Sequence, residues 1–280
     1  MASGKSRIAE TFRELRARNE AALIPYVVAG DPNLDATRAL VLEFARRGAD
    51  LIELGVPFSD PMADGPANQR ASQRGLKSGA SLAAILSMVS ELRKESEIPV
   101  ILFGYFNPIF HYGCERFCAD AARAGIDALL TVDLPPDEAA ELQKPAHANG
   151  LDLIYLLAPT TPIERARHVV RSASGFIYYV AVTGVTGARA TLPSDLEEQV
   201  TRMRSVTDLP IGVGFGISTP EQAGDVGRFA DAVVVGSAIS LLVEANAESS
   251  ELVTKVSELV GSMKLAIKGA RPAADSAAAR

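Results

Sequence analysis

Two acidic side chains stand out because of their positions along the chain. Glu53 lies inside an otherwise apolar segment, and Asp64 follows in a loop rich in proline and glycine. A carboxyl group inside such a strand points into the protein, where burial raises its pKa and lets it exchange a proton near neutral pH. The alternatives are a structural Glu53 that accepts hydrogen bonds and an Asp64 that caps the following helix.

Three glycine-containing loops form a second group, at residues 183–187, 212–218 and 235–238. Glycine lets backbone N–H groups approach an anion, and loops of this kind that end at a helix N-terminus commonly bind phosphate. Gly236 and Ser237 are predicted to open such a helix, although each glycine alone could form a tight turn. Walker, dinucleotide-binding and serine-elbow patterns do not occur, so the phosphate is expected on a small substrate.

The other candidate residues are weaker. Tyr178 is predicted to direct its hydroxyl inward from a strand. No lysine ends a predicted strand at the site, which argues against a Schiff-base aldolase. Cys114 and Cys118 have helical spacing and are expected to pack, so no metal site is predicted. Three histidines fall in predicted helices or helix ends away from the site and are not expected to be catalytic: His111, His147 and His168.

The elements that position these residues are short apolar runs alternating with helical patterns, which is typical of a parallel α/β fold. We predict a single (β/α)₈ TIM barrel. A doubly wound sheet is less favoured, because the first strand leads into Asp31-Pro32-Asn33 and not into a glycine-rich turn. The eight predicted strands cover residues 23–29, 51–54, 100–103, 128–132, 153–157, 176–181, 211–213 and 232–235.

The ends of the chain and the helix starts give further predictions. Residues 1–20 indicate an extra N-terminal amphipathic helix that plugs the barrel. Thr161, Ser194 and Thr219 are predicted to cap the helices that follow them. The barrel domain is expected to cover residues 1–268, and the alanine-rich residues 269–280 are expected to form a disordered tail.

Composition excludes several classes of function. The chain has 280 residues, is 48% hydrophobic and carries a formal net charge of -6. A negative chain disfavours binding to nucleic acid and to anionic membranes. The first residues do not resemble a signal peptide, and no apolar run has the roughly 20 residues of a membrane span. The expected location is the cytoplasm, or the plastid stroma if the source is a plant or alga.

Four motifs together resemble the tryptophan synthase α subunit family. They are GDP at 30–32, ELGVPFSDPMADGP at 53–66, GVTG at 184–187 and GFGIS at 214–218. The long motif is highly specific, while the glycine loops alone would fit many phosphate-binding barrels. The resemblance implies a lyase that cleaves indole-3-glycerol phosphate to indole and glyceraldehyde 3-phosphate in tryptophan biosynthesis.

The resemblance also implies roles for individual residues. Glu53 would be the principal acid-base group, Asp64 would hold the indole N–H, and Tyr178 would assist Glu53. Phosphate binding would involve Gly187, Gly214, Gly216, Gly236 and Ser237. The indole pocket would include Tyr26, Phe103, Leu130 and Phe215. Loops 57–66 and 182–193 would close over the substrate.

The implied partner is a β subunit in an α₂β₂ heterotetramer. That subunit would hold pyridoxal phosphate, so this chain would need no cofactor. Candidate contacts are Asp60-Pro61, Asn107-Pro108 and residues 133–135. The alternatives are a stand-alone lyase that releases free indole, a different sugar-phosphate enzyme such as an isomerase, and a non-catalytic activator of a β subunit.

Overall fold

The strands form at the apolar runs of the sequence. The computed structural model describes residues 6–180, 192–214 and 216–271. The strands are β1 Ala22–Val28, β2 Ile52–Gly55, β3 Val100–Gly104, β4 Ala128–Thr131, β5 Asp152–Leu153, β6 Tyr155–Leu157, β7 Ile177–Val180, β8 Ile211–Gly214 and β9 Ala232–Val235.

All strand pairs in this sheet are parallel, in the order β5-β4-β3-β2-β1-β9-β8-β7-β6. Only Ile154 separates β5 from β6, and its backbone N–H donates to the Leu129 carbonyl at 2.9 Å. The predicted fifth strand is therefore one barrel strand in two segments, and the sheet closes on itself through Ile154. This is the eight-stranded barrel that the sequence predicts.

Helices alternate with the strands and cover the outside of the barrel, as parallel strands require. The helices are α1 Arg7–Ala17, α2 Leu34–Arg46, α3 Pro66–Lys77, α4 Leu82–Leu92, α5 Phe106–Tyr112, α6 Cys114–Ala124, α7 Ala140–Ala148, α8 Ile163–Ser172, α9 Leu196–Arg204, α10 Pro220–Gly227, α11 Ser237–Asn246 and α12 Leu252–Lys268. None of the helices in the described ranges is long and apolar enough to cross a membrane.

The extra N-terminal helix plugs the barrel. Ile8, Phe12 and Leu15 of α1 are buried in the inner core, which is formed by side chains that point inward from the strands. The Phe12 ring packs against Phe176 with 5.7 Å between the ring centroids. This contact fills the amino-terminal end of the barrel and leaves the carboxyl-terminal end for a site.

The helix starts agree with the sequence at one predicted cap and differ at two. Thr219 and Gln222 form a complete capping box at the start of α10. In α8 the N-cap is Pro162, because the Thr161 hydroxyl instead accepts the Ala158 N–H. The N-cap of α9 is Asp195 and not Ser194. Residues 272–280, most of the predicted tail, lie outside the described residues.

Candidate active site

A cavity of about 300 Å³ opens at the carboxyl-terminal end of the barrel. Side chains from opposite sides of the barrel meet in it, which is where barrel enzymes place their active sites. Its walls are mostly apolar, with a few convergent polar groups, as is usual for a small-molecule site. Its described lining residues are Tyr26, Glu53, Ala63, Asp64, Asn68, Phe103, Val132, Leu156, Ala158, Tyr178, Val180, Gly216, Val234, Gly236 and Ser237.

Glu53 lies in the middle of β2 and is 1% exposed, although its side chain borders the cavity. Its Oε1 atom accepts no hydrogen bond from the part of the chain that the structure describes. Burial alone raises the pKa of Glu53 to about 8. At neutral pH the free protein therefore presents a protonated carboxyl group, which is ready to act as an acid.

Asp64 lies just before α3 and differs from Glu53 in its hydrogen bonds. The Tyr105 hydroxyl donates to Asp64 Oδ2 at 3.1 Å, and the Asn68 side chain also hydrogen-bonds this carboxyl group. Burial raises the pKa of Asp64, and these two bonds oppose the rise, which leaves it at about 6. Asp64 is thus largely ionised at neutral pH. It does not cap α3, whose N-cap is Gly65.

Two tyrosine side chains that line the cavity each lie close to a glycine of the neighbouring strand. A Cβ added at Gly214 would lie 2.0 Å from the Tyr178 hydroxyl oxygen, and one at Gly55 would lie 2.5 Å from that of Tyr26. Any larger residue at either glycine would displace a tyrosine ring. Burial raises the pKa of both phenols well above the usual value, so both remain neutral hydroxyl groups.

The predicted phosphate end of the site lies at the start of α11. Gly236 is the N-cap, Ser237 is the first helical residue, and both line the cavity together with Gly216. No side chain in the described ranges caps this helix. Its first N–H groups and the positive end of its dipole are therefore suited to an anion at the cavity mouth.

The structure does not bring every predicted residue to the cavity. Leu130 is 1% exposed and packs in the inner core, beneath the residues that line the cavity. Gly187 and Phe215 lie outside the described residues, as does most of the predicted closing loop 182–193. Gly214 contributes by leaving room for Tyr178.

Sequence reasoning missed two polar residues at the site, Tyr105 and Asn68. Tyr105 directly follows β3, at the carboxyl end where site residues collect, and this position was a usable signal. Asn68 is 7% exposed in the first turn of α3, and a buried amide beside the Asp64 motif gave a weaker one. The missed apolar lining residues include Val132, Leu156, Val180 and Val234, which sequence alone does not separate from ordinary core.

Other polar clusters provide no competing metal centre. No group of three or more histidine, cysteine or acidic side chains within the described ranges is arranged to hold a metal ion. Cys114 and Cys118 are free and buried in α6. His168 pairs with the exposed Asp137.

The protein is a closed parallel barrel in which one cavity holds two buried carboxyl groups and the N-terminus of α11. These features define its class: a TIM-barrel protein with a site suited to a small anionic molecule. Residues 12–268 match the family model described as tryptophan synthase alpha chain. The chain therefore belongs to the tryptophan synthase alpha chain family.

Individual relatives and solved structures agree with that assignment. The chain is 56% identical over 267 residues to the tryptophan synthase alpha chain of Citrifermentans bemidjiense, covering 95% of this chain and all of the relative. The crystal structure of the tryptophan synthase alpha subunit from Legionella pneumophila matches with a TM-score of 0.88 and 39% identity, over 95% of this chain and 100% of that one. A Mycobacterium tuberculosis tryptophan synthase structure matches with a TM-score of 0.86 and 36% identity, over 94% and 98%.

Family membership gives the reaction, a lyase step of tryptophan biosynthesis in which indole-3-glycerol phosphate is cleaved to indole and glyceraldehyde 3-phosphate. The alpha chain uses no cofactor, because pyridoxal phosphate belongs to the β chain.

Proposed function

We propose that Glu53 and Asp64 carry out this cleavage between them, with Tyr178 beside Glu53. The observation that carries the proposal is the difference between the two carboxyl groups on one cavity, with a pKa of about 8 for Glu53 and about 6 for Asp64. Environments that push two pKa values apart assign an acid and an anion to the same site.

The substrate has a phosphate end and an indole end, and a different part of the cavity suits each of them. Its phosphate would bind at Gly216, Gly236 and Ser237, where the start of α11 favours an anion. Its indole ring would lie among the apolar walls near Tyr26 and Phe103, whose rings pack edge to face with 5.2 Å between the ring centroids. Gly187 and Phe215 remain predicted contributors.

The chemistry follows from the two protonation states. The protonated Glu53 would give its proton to the indole ring carbon that bears the glycerol chain. The positive charge that this creates on the ring would be stabilised by the Asp64 carboxylate beside the indole N–H. The Glu53 carboxylate would then remove the proton of the glycerol hydroxyl as the C–C bond breaks. The bonding electrons return to the ring, indole and the aldehyde form, and Glu53 is protonated again.

Tyr178 and the apolar walls would support these steps. The neutral Tyr178 hydroxyl would donate a hydrogen bond near Glu53 while that group is ionised. Its position depends on the close approach to Gly214. Closure of loop 57–66, and of loop 182–193 as predicted, would exclude water and strengthen these electrostatic effects.

We also propose that one face of the barrel mouth binds the β subunit in an α₂β₂ complex. The Phe106 N–H donates to Asp133 Oδ1 at 2.8 Å, which joins the predicted contact segments at Asn107-Pro108 and 133–135. Phe58 stacks on Tyr105 at 5.1 Å and brings in the loop of Asp60 and Pro61. Met62 at 89% exposure and Phe110 at 54% are large apolar side chains that adjoin these segments in sequence, and a partner at this face would cover them. The proposed location of the complex is the cytoplasm.

The test is indole release from indole-3-glycerol phosphate by the purified chain, with and without a β subunit. We expect turnover by the chain alone and faster turnover with the β subunit. A rate that the β subunit leaves unchanged would favour the stand-alone lyase. Activation of the β subunit without cleavage by the alpha chain would favour the non-catalytic activator and contradict the proposed roles of Glu53 and Asp64.

A further inference from the structure

Two buried polar side chains, Asn68 and Ser240, form a hydrogen-bonded link between the two ends of the site. The Ser240 hydroxyl in α11 donates to Asn68 Oδ1 in α3 at 2.8 Å, and the two residues are 3% and 7% exposed. Because Oδ1 already accepts this bond, the Asn68 amide presents its N–H groups on its other side. The Asn68 side chain hydrogen-bonds the Asp64 carboxyl group and borders the cavity.

The same two helices are joined again one turn farther from the cavity. Glu244 lies four residues after Ser240 in α11, and its Oε1 is 2.8 Å from Arg74 Nη1 in α3 and 2.7 Å from Arg70 Nε. Arg74 also forms two bonds of 2.7 and 2.8 Å to the buried Asp31. The Glu244 pairs therefore join the same two helices that Ser240 and Asn68 link, and the bonds to Asp31 hold the Arg74 side chain in position.

The positions of Ser240 and Asn68 in their helices show which parts of the site their hydrogen bond connects. Ser237 begins α11 at the proposed phosphate end, and Ser240 lies one turn farther along the same helix. Asp64 lies just before α3, and Asn68 lies one turn after it. A shift of α11 would therefore reach the Asp64 carboxyl group through only two side chains, Ser240 and Asn68.

We propose that Asn68 is a positioning residue for Asp64, and that Ser240 orients it from the helix that receives the substrate phosphate. This inference rests on the proposed role of Asp64. The Asn68 amide aims the carboxylate at the indole N–H and stabilises its charged form, since a hydrogen bond to a carboxylate favours ionisation. Ser240 holds the amide in the orientation that directs N–H, and not C=O, toward Asp64.

The experiment measures kcat, KM and the pH dependence of indole release for Asn68→Leu, Ser240→Ala, Ser240→Thr and the double variant Asn68→Leu with Ser240→Ala. Misplacement of a reacting group costs rate, so Asn68→Leu is expected to lower kcat roughly 10-fold. Its acid limb should move to higher pH, because the Asp64 carboxylate loses a donor. KM should change less than about 3-fold, because the phosphate contacts remain.

The Ser240 variants test whether Ser240 acts through Asn68. Ser240→Ala should show a smaller loss in kcat, and Ser240→Thr should restore it because the hydroxyl is kept. The double variant should be no slower than Asn68→Leu alone. The matched control is Ser257→Ala, which removes a fully buried hydroxyl in α12 that donates to the Thr254 carbonyl. That control should leave the kinetics unchanged.

Three results would overturn the inference. They are an unshifted acid limb in both Asn68→Leu and Ser240→Ala, losses in the double variant that multiply, and a Ser240→Thr variant as slow as Ser240→Ala. Asp64→Asn is measured beside them. If that variant is fully active, the proposed role of Asp64 itself fails, and the two failures are thereby distinguished.

Discussion

Replacing Glu53 by glutamine should change the way in which stability depends on pH. In the folded protein the pKa of Glu53 is about 8, against an ordinary value of 4.5. The folded state therefore holds a proton that the unfolded state releases between these values. The stability linked to this proton is complete below pH 4.5 and is lost as the pH rises toward 8.

The size of the effect follows from the width of that window. Each pH unit inside it costs about 1.4 kcal/mol of unfolding free energy, so wild type should lose about 2 kcal/mol between pH 6 and pH 8 through Glu53. Glu53→Gln has no such proton and should lack this slope. Asp64, with its pKa raised to about 6, contributes mainly below this range.

The assay is urea unfolding at a series of pH values, followed by far-ultraviolet circular dichroism because the chain contains no tryptophan. The two proteins differ at position 53 alone, so the difference between their stability curves isolates the contribution of Glu53. Asp64→Asn serves as the matched carboxyl control and should alter the slope mainly below pH 6. Parallel stability curves for wild type and Glu53→Gln above pH 6 would refute the raised pKa and the acid role built on it.

Two further predictions concern packing. Phe12→Ala removes the ring that packs on Phe176 in the plug, and it should lower the free energy of unfolding by about 3 to 5 kcal/mol in urea titrations; a loss below about 1 kcal/mol would show that α1 is not part of the core. Gly214→Ala places a methyl group where the Tyr178 hydroxyl lies and should lower kcat roughly 10-fold or more in the indole assay. The control is Gly113→Ala, at an open site with φ +88°, which should affect stability alone. Equal kcat in both variants would contradict the predicted need for Tyr178 in its observed position.

The barrel was predictable because its signals are local. Apolar runs, helix periodicity and the amphipathic residues before β1 each depend on neighbours in the chain, and the structure confirms the fold and the plug. The break at Ile154 was not predictable, since it depends on how the fifth strand meets its neighbours on either side. The cap at Thr161 was wrong because its hydroxyl serves the Ala158 N–H, an alternative that the pattern does not contain.

The site residues also differ in how far the sequence could predict them. Glu53 could be found because an acid in an apolar strand is costly unless it has a use. Asn68 gave only a weak signal and Ser240 gave none, because their pairing joins residues 172 positions apart and neither belongs to a recognised motif. Leu130 shows the opposite case, since the family resemblance implied a place in the indole pocket while the structure places it in the inner core.

The most direct test of the central claim is indole release from indole-3-glycerol phosphate by wild type, Glu53→Gln and Asp64→Asn, each alone and with a β subunit. Positioned acid-base groups contribute roughly 10² to 10⁴ in rate, so we predict losses of that size in both variants and acceleration of wild type by the β subunit. Near-wild-type turnover by Glu53→Gln would contradict the account, because the cavity would then release indole without its proposed acid.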